Sequence, residues 1–286
     1  MNKDLRVTVL GAGNMGSALM GGMLQAGVVT RQNLCATVKS EPHAVELAAR
    51  YEVRVTTGGN AEAAADADVV IVAVKPGYAM GVLNEIAPRL KPGQVIVSVA
   101  ASLPIAMIES ALPFTLPVFR AMPNIPVVVG EGATAVCCNG SATGEQRDLV
   151  ESIFRAVGVA CFVEEDMMDA VTALSGSGPA YIYMVIEAMI SGGVKMGLSH
   201  GVATRLAEQT VLGAAKHVRE TGLHPAILRD QVITPGGVTI VAIHELEKHG
   251  LRSTILSAIE SATLHSRSRT AVLAEKLKHE HKPNDK

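Results

Sequence analysis

The chain has 286 residues, 48% of them hydrophobic and 3% aromatic, so small aliphatic side chains must fill the core of one or two domains. Its formal net charge of −2 argues against nucleic acid as a partner, because nucleic-acid-binding proteins usually present a basic stripe. The four cysteines show no zinc-binding or redox spacing, and together with a polar N-terminus that is unlike a signal peptide they predict a reduced, cytoplasmic protein.

The first predicted strand, residues 6–10, runs directly into a glycine-rich turn and a helix at residues 14–26. The turn consists of Gly11, Ala12, Gly13, Asn14, Met15 and Gly16. In such a turn Gly11 permits the sharp bend, Gly13 lets the backbone approach a pyrophosphate, and Gly16 allows close helix packing. A glycine turn without a ligand is the alternative, but the position between a strand and a helix favours dinucleotide binding.

The second predicted strand, residues 33–38, indicates which dinucleotide is bound. NAD-preferring folds usually place an acid at the end of this strand, where it binds the ribose 2′-hydroxyl. Here the end reads Thr37-Val-Lys39-Ser40, and no acid occurs before Glu41. Thr37 and Lys39 could hold a 2′-phosphate, although they could also be ordinary solvated loop residues. NADPH is therefore expected as the cofactor, with NADH possible but weaker.

Further strands alternate with helices and predict an α/β fold, a Rossmann-type doubly wound sheet in a domain of residues 1–164. Residues 69–74 form a β-branched apolar run typical of a central parallel strand, and the chain then turns at Lys75 and Pro76. Strand ends of this kind could line the nicotinamide half of a cofactor or be simple turns. The other predicted strands are residues 53–55, 95–99, 118–122, 133–138 and 161–163, and the helices are 42–50, one from residue 60, and 144–156.

The second half predicts an all-helical domain, residues 165–278, and a disordered tail, residues 279–286. Its central helix, residues 179–198, follows a flexible turn in which Ser177 is expected to cap the helix. Glu187 and Lys195 lie inside this helix, so a core helix is expected rather than a membrane span. The remaining helices are predicted at residues 166–174, 201–220, 225–233, 239–249 and 251–277.

The apolar stripe of the central helix and the glycines near its end indicate that copies of the chain associate. An isolated helical domain with this much apolar surface has to bury it against another copy. A homodimer or larger assembly through the helical domain is the resulting hypothesis.

Thr234-Pro-Gly-Gly-Val-Thr239 is the most informative turn of the second half. Its glycines free backbone amides at a helix start and Thr239 adds a hydroxyl, which together suit a small carboxylate. A turn-rich helix start without a ligand is equally consistent with these residues. A zinc helix at His244-Glu245 is rejected, because His249 follows at five residues rather than four, and no metal is expected.

Six blocks occur in order along the chain, and together they resemble the pyrroline-5-carboxylate reductase family from about residue 6 to residue 269. The blocks are Gly11-Ala-Gly-Asn-Met-Gly16, Ala73-Val-Lys-Pro76, Arg120-Ala-Met-Pro-Asn124, Leu174-Ser-Gly-Ser-Gly-Pro-Ala-Tyr181, Gly193-Val-Lys-Met-Gly197 and Thr234-Pro-Gly-Gly-Val-Thr239. The Pro-Gly-Gly-x-Thr block is specific to that family. The resemblance implies a Rossmann domain, a helical dimerisation domain with interlaced helices, and often a ring of dimers.

The resemblance also implies the reaction, which is reduction of L-1-pyrroline-5-carboxylate to L-proline, the final step of proline biosynthesis. It implies that the amides of Gly237 and Val238, with Thr239, hold the substrate carboxylate. Thr239 is the catalytic candidate, since it fixes the substrate and could relay a proton through water. Cofactor contacts would come from Asn60 and the block Ala73, Val74, Lys75 and Pro76. An acid that some members place before the Pro-Gly-Gly block has no clear counterpart, because Gly222 stands there.

Two other functions remain open at this point. A β-hydroxyacid dehydrogenase would use Lys195, but those enzymes pair the lysine with an asparagine one turn later, where this chain has Ser199. A non-catalytic NADP-binding sensor is also possible, because a fold by itself proves no chemistry.

Overall fold

The computed structural model describes residues 4–280 and contains one eight-stranded sheet of order β3-β2-β1-β4-β5-β6-β7-β8. Neighbouring strands are parallel except β6 and β7, which are antiparallel. The strands are β1 (Val7–Leu10), β2 (Leu34–Val38), β3 (Arg54–Thr57), β4 (Val69–Val72), β5 (Val95–Ser98), β6 (Val118–Met122), β7 (Gly132–Cys138) and β8 (Gly158–Phe162). The strand order reverses between β1 and β4, and ligands of doubly wound sheets bind at such a reversal, at the carboxyl ends of the strands.

Helices cover both faces of this sheet. They are α1 (Asn14–Gln25), α2 (Glu41–Tyr51), α3 (Asn60–Ala65), α4 (Pro76–Ile86), α5 (Ile105–Ser110), α6 (Gly144–Arg155) and α7 (Met168–Val171), and a π-helical turn, Thr172–Gly176, follows α7. Strand β4 shows that both faces of the sheet are buried. Val69 and Ile71 pack into one buried cluster, whereas Val70 and Val72 pack into another. The predicted α/β doubly wound fold is confirmed.

Several predicted boundaries need correction. The strand predicted at residues 69–74 ends at Val72, because the chain turns at Lys75 and Pro76 opens α4, although the Ala73 amide still donates to the Leu10 carbonyl. Helices α4 and α5 were not predicted. The flexible turn expected before the central helix is π-helical, and the Ser177 hydroxyl donates to the Thr172 carbonyl (3.2 Å), so Ser177 closes this turn instead of capping the next helix.

The remaining helices follow without further strands. They are α8 (Gly178–Lys195), α9 (His200–Thr221), α10 (Pro225–Gln231), α11 (Val238–Lys248) and α12 (Leu251–Glu280). The chain divides into two compact units, of which the second is Gly178–Glu260, and the first extends to Ser177 and resumes at Ser261. The division into domains at residues 164 and 165 therefore stays a prediction. Of the predicted tail, residues 279 and 280 end α12, and residues 281–286 lie outside the described part of the chain.

Within the second unit, α8 packs against α9 through a glycine. A Cβ on Gly193 would lie 3.2 Å from the Ala203 Cβ and 3.3 Å from the Leu198 Cδ1, so only a residue without a side chain fits without rearrangement. Neither α8 nor α11 contains a residue that is fully buried within the single chain. Large apolar side chains on α8 and α9 are exposed instead, among them Met184 at 69% and Leu212 at 59%.

Candidate functional site

The turn between β1 and α1 has the geometry of a phosphate-binding loop. Gly11 has φ +84°, a conformation that favours glycine, and a Cβ there would overlap the Val74 side chain. A Cβ on Gly16 would lie 3.0 Å from the Val9 Cγ1 and 3.3 Å from the Ala73 Cβ, so Gly16 allows the helix to approach the sheet. By contrast, nothing lies within 4 Å of a Cβ position on Gly13, which leaves open space in front of the turn.

The amides at the start of α1 are available to a ligand. Gly13 is the N-cap and has no side chain to accept from them, while Gly13 and Asn14 are exposed. The first amides of any helix have no acceptor within the helix, and its dipole favours an anion at this end. The loop can therefore hold a pyrophosphate with backbone groups alone.

A chain of hydrogen bonds through Thr37 and Asn60 fixes the start of this loop. The Gly11 amide donates to the Thr37 hydroxyl oxygen (3.2 Å), and this hydroxyl donates to Asn60 Oδ1 (2.7 Å). Asn60 Nδ2 in turn donates to Glu85 Oε2 (2.8 Å). Thr37 is 2% exposed and its hydroxyl is already engaged in both directions. The structure thus gives Thr37 a role in positioning Gly11, and its hydroxyl is not free to bind a 2′-phosphate as the sequence suggested.

A cleft of about 550 Å³ opens at the carboxyl end of β2. Five of the predicted cofactor residues line it, namely Gly11, Thr37, Lys39, Asn60 and Val74. Lys39 is exposed, and its ammonium lies 3.5 Å from the centroid of the Tyr78 ring. Tyr78 and Glu85 were not predicted. Tyr78 could have been identified, because it follows the predicted cofactor residue Pro76 by only two positions.

His43 supports the same loop from α2. Its Nε2 lies 3.0 Å from the Ala12 carbonyl oxygen and its Nδ1 lies 3.3 Å from Glu46 Oε2. The ring therefore bridges the start of α2 and the glycine-rich turn. No sequence motif pointed to this histidine, because the contact joins residues that are 31 positions apart.

The predicted residues Ala73, Val74, Lys75 and Pro76 form the connection from β4 to α4. Lys75 is the N-cap of α4 and Pro76 occupies its first turn, where a missing amide costs nothing. This connection lies beside the glycine-rich turn. The Ala73 amide donates to the Leu10 carbonyl, and the Val74 side chain occupies the space where a Cβ on Gly11 would stand. Ala12 and Met15 belong to the turn, and Ala73, Lys75 and Pro76 belong to the connection beside it, but none of these five residues lines the cleft.

The Thr234–Thr239 turn lies in the second unit and opens α11. Gly236 has φ +68°, the Gly237 amide donates to the Thr234 carbonyl (3.0 Å), and Gly237 is an N-cap without a side-chain hydrogen bond. The amides of Val238 and Thr239 therefore stand at an uncapped helix start, and Val238 is 87% exposed. The Val238 and Thr239 amides suit a carboxylate, whereas the Gly237 amide, which the resemblance also assigned to the substrate, is already engaged by the Thr234 carbonyl.

Two further residues from the sequence analysis can be placed, Lys195 of the dehydrogenase alternative and Gly222, which stands where some family members have an acid. Lys195 is the exposed last residue of α8. Gly222 ends α9 with φ +63°, so its position demands a left-handed backbone and offers no side chain to a substrate. Nearby, Glu220 pairs with Lys216 (3.6 Å).

Buried polar groups outside the cleft cluster around β6 and β7. Arg120, 5% exposed, pairs with Glu165 (3.3 Å), whose same oxygen accepts from the Ile105 amide (2.7 Å). Burial, and then the charge of Glu165, raise the pKa of the neighbouring Cys137 thiol to about 12. The Glu165 carboxylate thus links β6 to the start of α5, and Cys137 stays a neutral thiol.

Between residues 4 and 280, no group of three or more histidine, cysteine, aspartate or glutamate side chains could hold a metal ion. In the same part of the chain, no helix combines the length and the apolar character that crossing a membrane requires.

A larger depression of about 770 Å³ runs along α1, but of the predicted cofactor residues only Asn14 lines it.

Two family models match the chain. Residues 165–269 match the model described as pyrroline-5-carboxylate reductase dimerisation, and residues 6–102 match the model described as NADP oxidoreductase coenzyme F420-dependent. The first covers the helices from α7 into α12, and the second covers the glycine-rich turn and the cleft.

Known proteins resemble the chain over nearly its whole length. Pyrroline-5-carboxylate reductase of Methanosarcina acetivorans is 43% identical over 93% of this chain and 98% of its own. The Arabidopsis thaliana enzyme of the same name is 38% identical over 93% and 95%. Among solved structures, a pyrroline-5-carboxylate reductase from Coxiella burnetii has a TM-score of 0.88 at 35% identity, covering 93% of this chain and 98% of that one. Plasmodium falciparum pyrroline carboxylate reductase, with NADP bound, has a TM-score of 0.83 at 32% identity, covering 94% and 99%.

Proposed function

We propose that this chain, which belongs to the pyrroline-5-carboxylate reductase family, carries out its reaction with the glycine-rich turn holding the cofactor and with Val238 and Thr239, after the N-cap Gly237, holding the substrate. The chain reduces L-1-pyrroline-5-carboxylate to L-proline by hydride transfer from NAD(P)H, the final step of proline biosynthesis. The assignment of individual residues is our proposal, and the uncapped start of α11 is the observation that carries it.

The reaction explains why no acid–base pair is needed in the site. A cyclic imine takes a proton on nitrogen from water, and the resulting iminium carbon accepts a hydride from C4 of the dihydronicotinamide. The products are a secondary amine and the oxidised nicotinamide. The protein then has to place the two reactants at the correct distance and angle, which is catalysis by positioning.

Holding the carboxylate supplies much of this positioning. The amides of Val238 and Thr239 point out of a helix start at which the dipole favours negative charge. The Thr239 hydroxyl adds a charge-assisted hydrogen bond and is the group we propose as the proton relay through water. Fixing the carboxylate removes most of the translational freedom of the substrate, which is part of the positioning that the reaction needs.

A spectrophotometric assay of pyrroline-5-carboxylate reduction tests the proposal, with Thr239→Ala as the central variant. Loss of one hydrogen bond to a charged group costs about 1.5–3 kcal/mol, so kcat/KM for the imine should fall about ten- to over a hundredfold. Thr239→Ser is the matched control, because it keeps the hydroxyl donor and should retain most of the activity. NADPH affinity should barely change in either variant, since the cofactor contacts lie in the first unit.

The outcomes separate the alternatives. If Thr239→Ala reduced the imine like the parent, or lost NADPH binding instead, Thr239 would not hold the substrate. If the parent bound NADPH but reduced no imine, the non-catalytic sensor would be favoured.

For the cofactor we propose NADPH over NADH. The support is the exposed Lys39 cation in the cleft at the end of β2, where no acid would repel a 2′-phosphate. A related structure also contains NADP, and the model matching residues 6–102 describes an NADP oxidoreductase. Comparison of kcat/KM for the two cofactors measures this preference.

The assembly follows from the helical region. Residues 165–269 match a dimerisation family, so the chain forms an oligomer through this region. We further propose a homodimer that can associate into a ring of dimers, which light scattering coupled to gel filtration would distinguish from a simple dimer. We also propose the cytoplasm as its compartment, consistent with four free cysteines.

A further inference from the structure

Lys39 and Tyr78 form a contact that spans two elements of the cofactor cleft. Lys39 follows β2, whereas Tyr78 lies in the first turn of α4, and the lysine ammonium lies 3.5 Å from the centroid of the tyrosine ring. A cation over the face of a tyrosine is attracted by the ring quadrupole. The contact therefore restricts a lysine side chain that has several rotatable bonds and is otherwise exposed.

The space beside this pair is kept open by glycines. Gly77 and Gly81 line the same cleft, and no heavy atom lies within 4 Å of a Cβ position on either residue. The two glycines are four positions apart on α4, so they share one face of the helix. This face of α4 therefore leaves room in the cleft beside the Lys39–Tyr78 pair.

We propose that Tyr78 is a specificity-determining residue that holds the Lys39 ammonium in place for the 2′-phosphate of the cofactor. A free lysine loses rotamer freedom when it binds a phosphate, and the tyrosine ring restricts that freedom before the ligand arrives. NADH has no 2′-phosphate and gains nothing from the preplaced cation. This inference rests on the proposed NADPH preference and extends it to a residue that acts through Lys39.

Binding of two small probes tests the proposal without the reductase reaction. Adenosine 2′,5′-bisphosphate carries the 2′-phosphate and 5′-AMP lacks it, so the ratio of their dissociation constants isolates the 2′-phosphate contribution. Isothermal titration calorimetry on the full chain would measure both probes for the parent, Tyr78→Ala, Tyr78→Phe, Lys39→Ala and the Lys39→Ala/Tyr78→Ala double variant.

We expect Tyr78→Ala to reduce the preference for the 2′-phosphate by about two- to fivefold, the size of a cation–π contact at an exposed site. Tyr78→Phe should preserve the preference, because it keeps the ring face. In the Lys39→Ala background, Tyr78→Ala should leave the remaining preference unchanged, since the tyrosine then has no cation to hold.

Three results would overturn the proposal. An equal weakening of both probes by Tyr78→Ala would show that the ring contacts the adenine. The same change of preference with and without Lys39 would show that the two residues act independently. A parent that binds both probes equally would remove the 2′-phosphate selectivity itself, while the assay with pyrroline-5-carboxylate would still decide the reductase function separately.

Discussion

Gly11 and Gly13 stand two positions apart in the glycine-rich turn, but different physical constraints act on them. Gly11 has φ +84°, and a Cβ there would overlap Val74. Gly13 has φ −76° and open space around its Cβ position. The fold therefore requires glycine at position 11, whereas only the ligand requires it at position 13.

This difference leads to a prediction for two alanine variants. Gly11→Ala should destabilise the protein by about 2–4 kcal/mol, from a left-handed alanine and an overpacked contact together. Gly13→Ala should melt like the parent, yet its methyl group would stand where the pyrophosphate approaches. Its NADPH dissociation constant should rise about tenfold or more, equivalent to roughly 1.4 kcal/mol. Thermal melting and cofactor titration measure the two effects, and a Gly13→Ala protein with normal NADPH affinity would contradict our placement of the phosphates.

The glycine roles could be predicted from the sequence because the strand–turn–helix pattern that demands them is local, although Gly11 and Gly16 also pack against Val74 and Ala73 far along the chain. The hydrogen-bond partners of Thr37 could not be predicted in this way. Its hydroxyl connects the Gly11 amide to Asn60, which lies 23 residues away on α3. The type of residue at position 37 suggested a ligand contact, but only the packing of β2 against α3 shows that the hydroxyl is already engaged.

At the scale of elements, strands were easier to predict than short helices. The β-branched runs of β1, β4 and β5 are buried on both faces, and this burial requires an apolar sequence with little ambiguity. Helix α5 has only six residues and begins after Pro104, so its sequence contains less than two turns of periodicity. The π-helical turn, Thr172–Gly176, was missed because Ser175 and Gly176 are typical of loops.

Strands β7 and β8 lead to a prediction about cysteine reactivity. Cys137 on β7 is buried, and burial followed by the charge of Glu165 raises its thiol pKa to about 12, whereas Cys161 on β8 is exposed. Because the thiolate is the reactive form, iodoacetamide at about pH 8 should label Cys161 in the native protein and leave Cys137 unmodified until the chain unfolds. Peptide mapping by mass spectrometry checks this, with Cys161→Ser as the control.

The same pKa has a consequence for stability. The folded-state pKa lies above the usual thiol pKa of 9.0, so the stability associated with the neutral Cys137 thiol is fully present below about pH 9. It decreases as the pH rises towards 12, since the unfolded chain then releases a proton that the folded chain retains. A Cys137→Ala variant should lose this part of the alkaline destabilisation. Rapid labelling of native Cys137 would contradict the buried position.

At the scale of the whole molecule, the exposed apolar surface of the helical region demands a partner. Met184 on α8 and Leu212 on α9 are 69% and 59% exposed in the single chain, although α8 is the most apolar helix of this region. The sequence predicted association from this apolar stripe, and the match of residues 165–269 to a dimerisation family confirms an oligomer. Gly193, by contrast, packs α8 against α9 of the same chain.

We therefore predict that charges on this surface separate the subunits. In a Met184→Glu/Leu212→Glu variant, each buried apolar side chain that is lost removes about 1.5–3 kcal/mol, so the dimer dissociation constant should rise at least about a hundredfold. Sedimentation velocity at micromolar concentration should show an oligomer for the parent and a monomer for the variant. The melting temperature of the parent should increase with protein concentration, as expected when folding is coupled to association. Thr210→Glu adds a charge at an exposed polar position on the opposite side of α9 from Leu212 and should leave the oligomer intact. A double variant that sediments like the parent would show that these two side chains lie outside the interface.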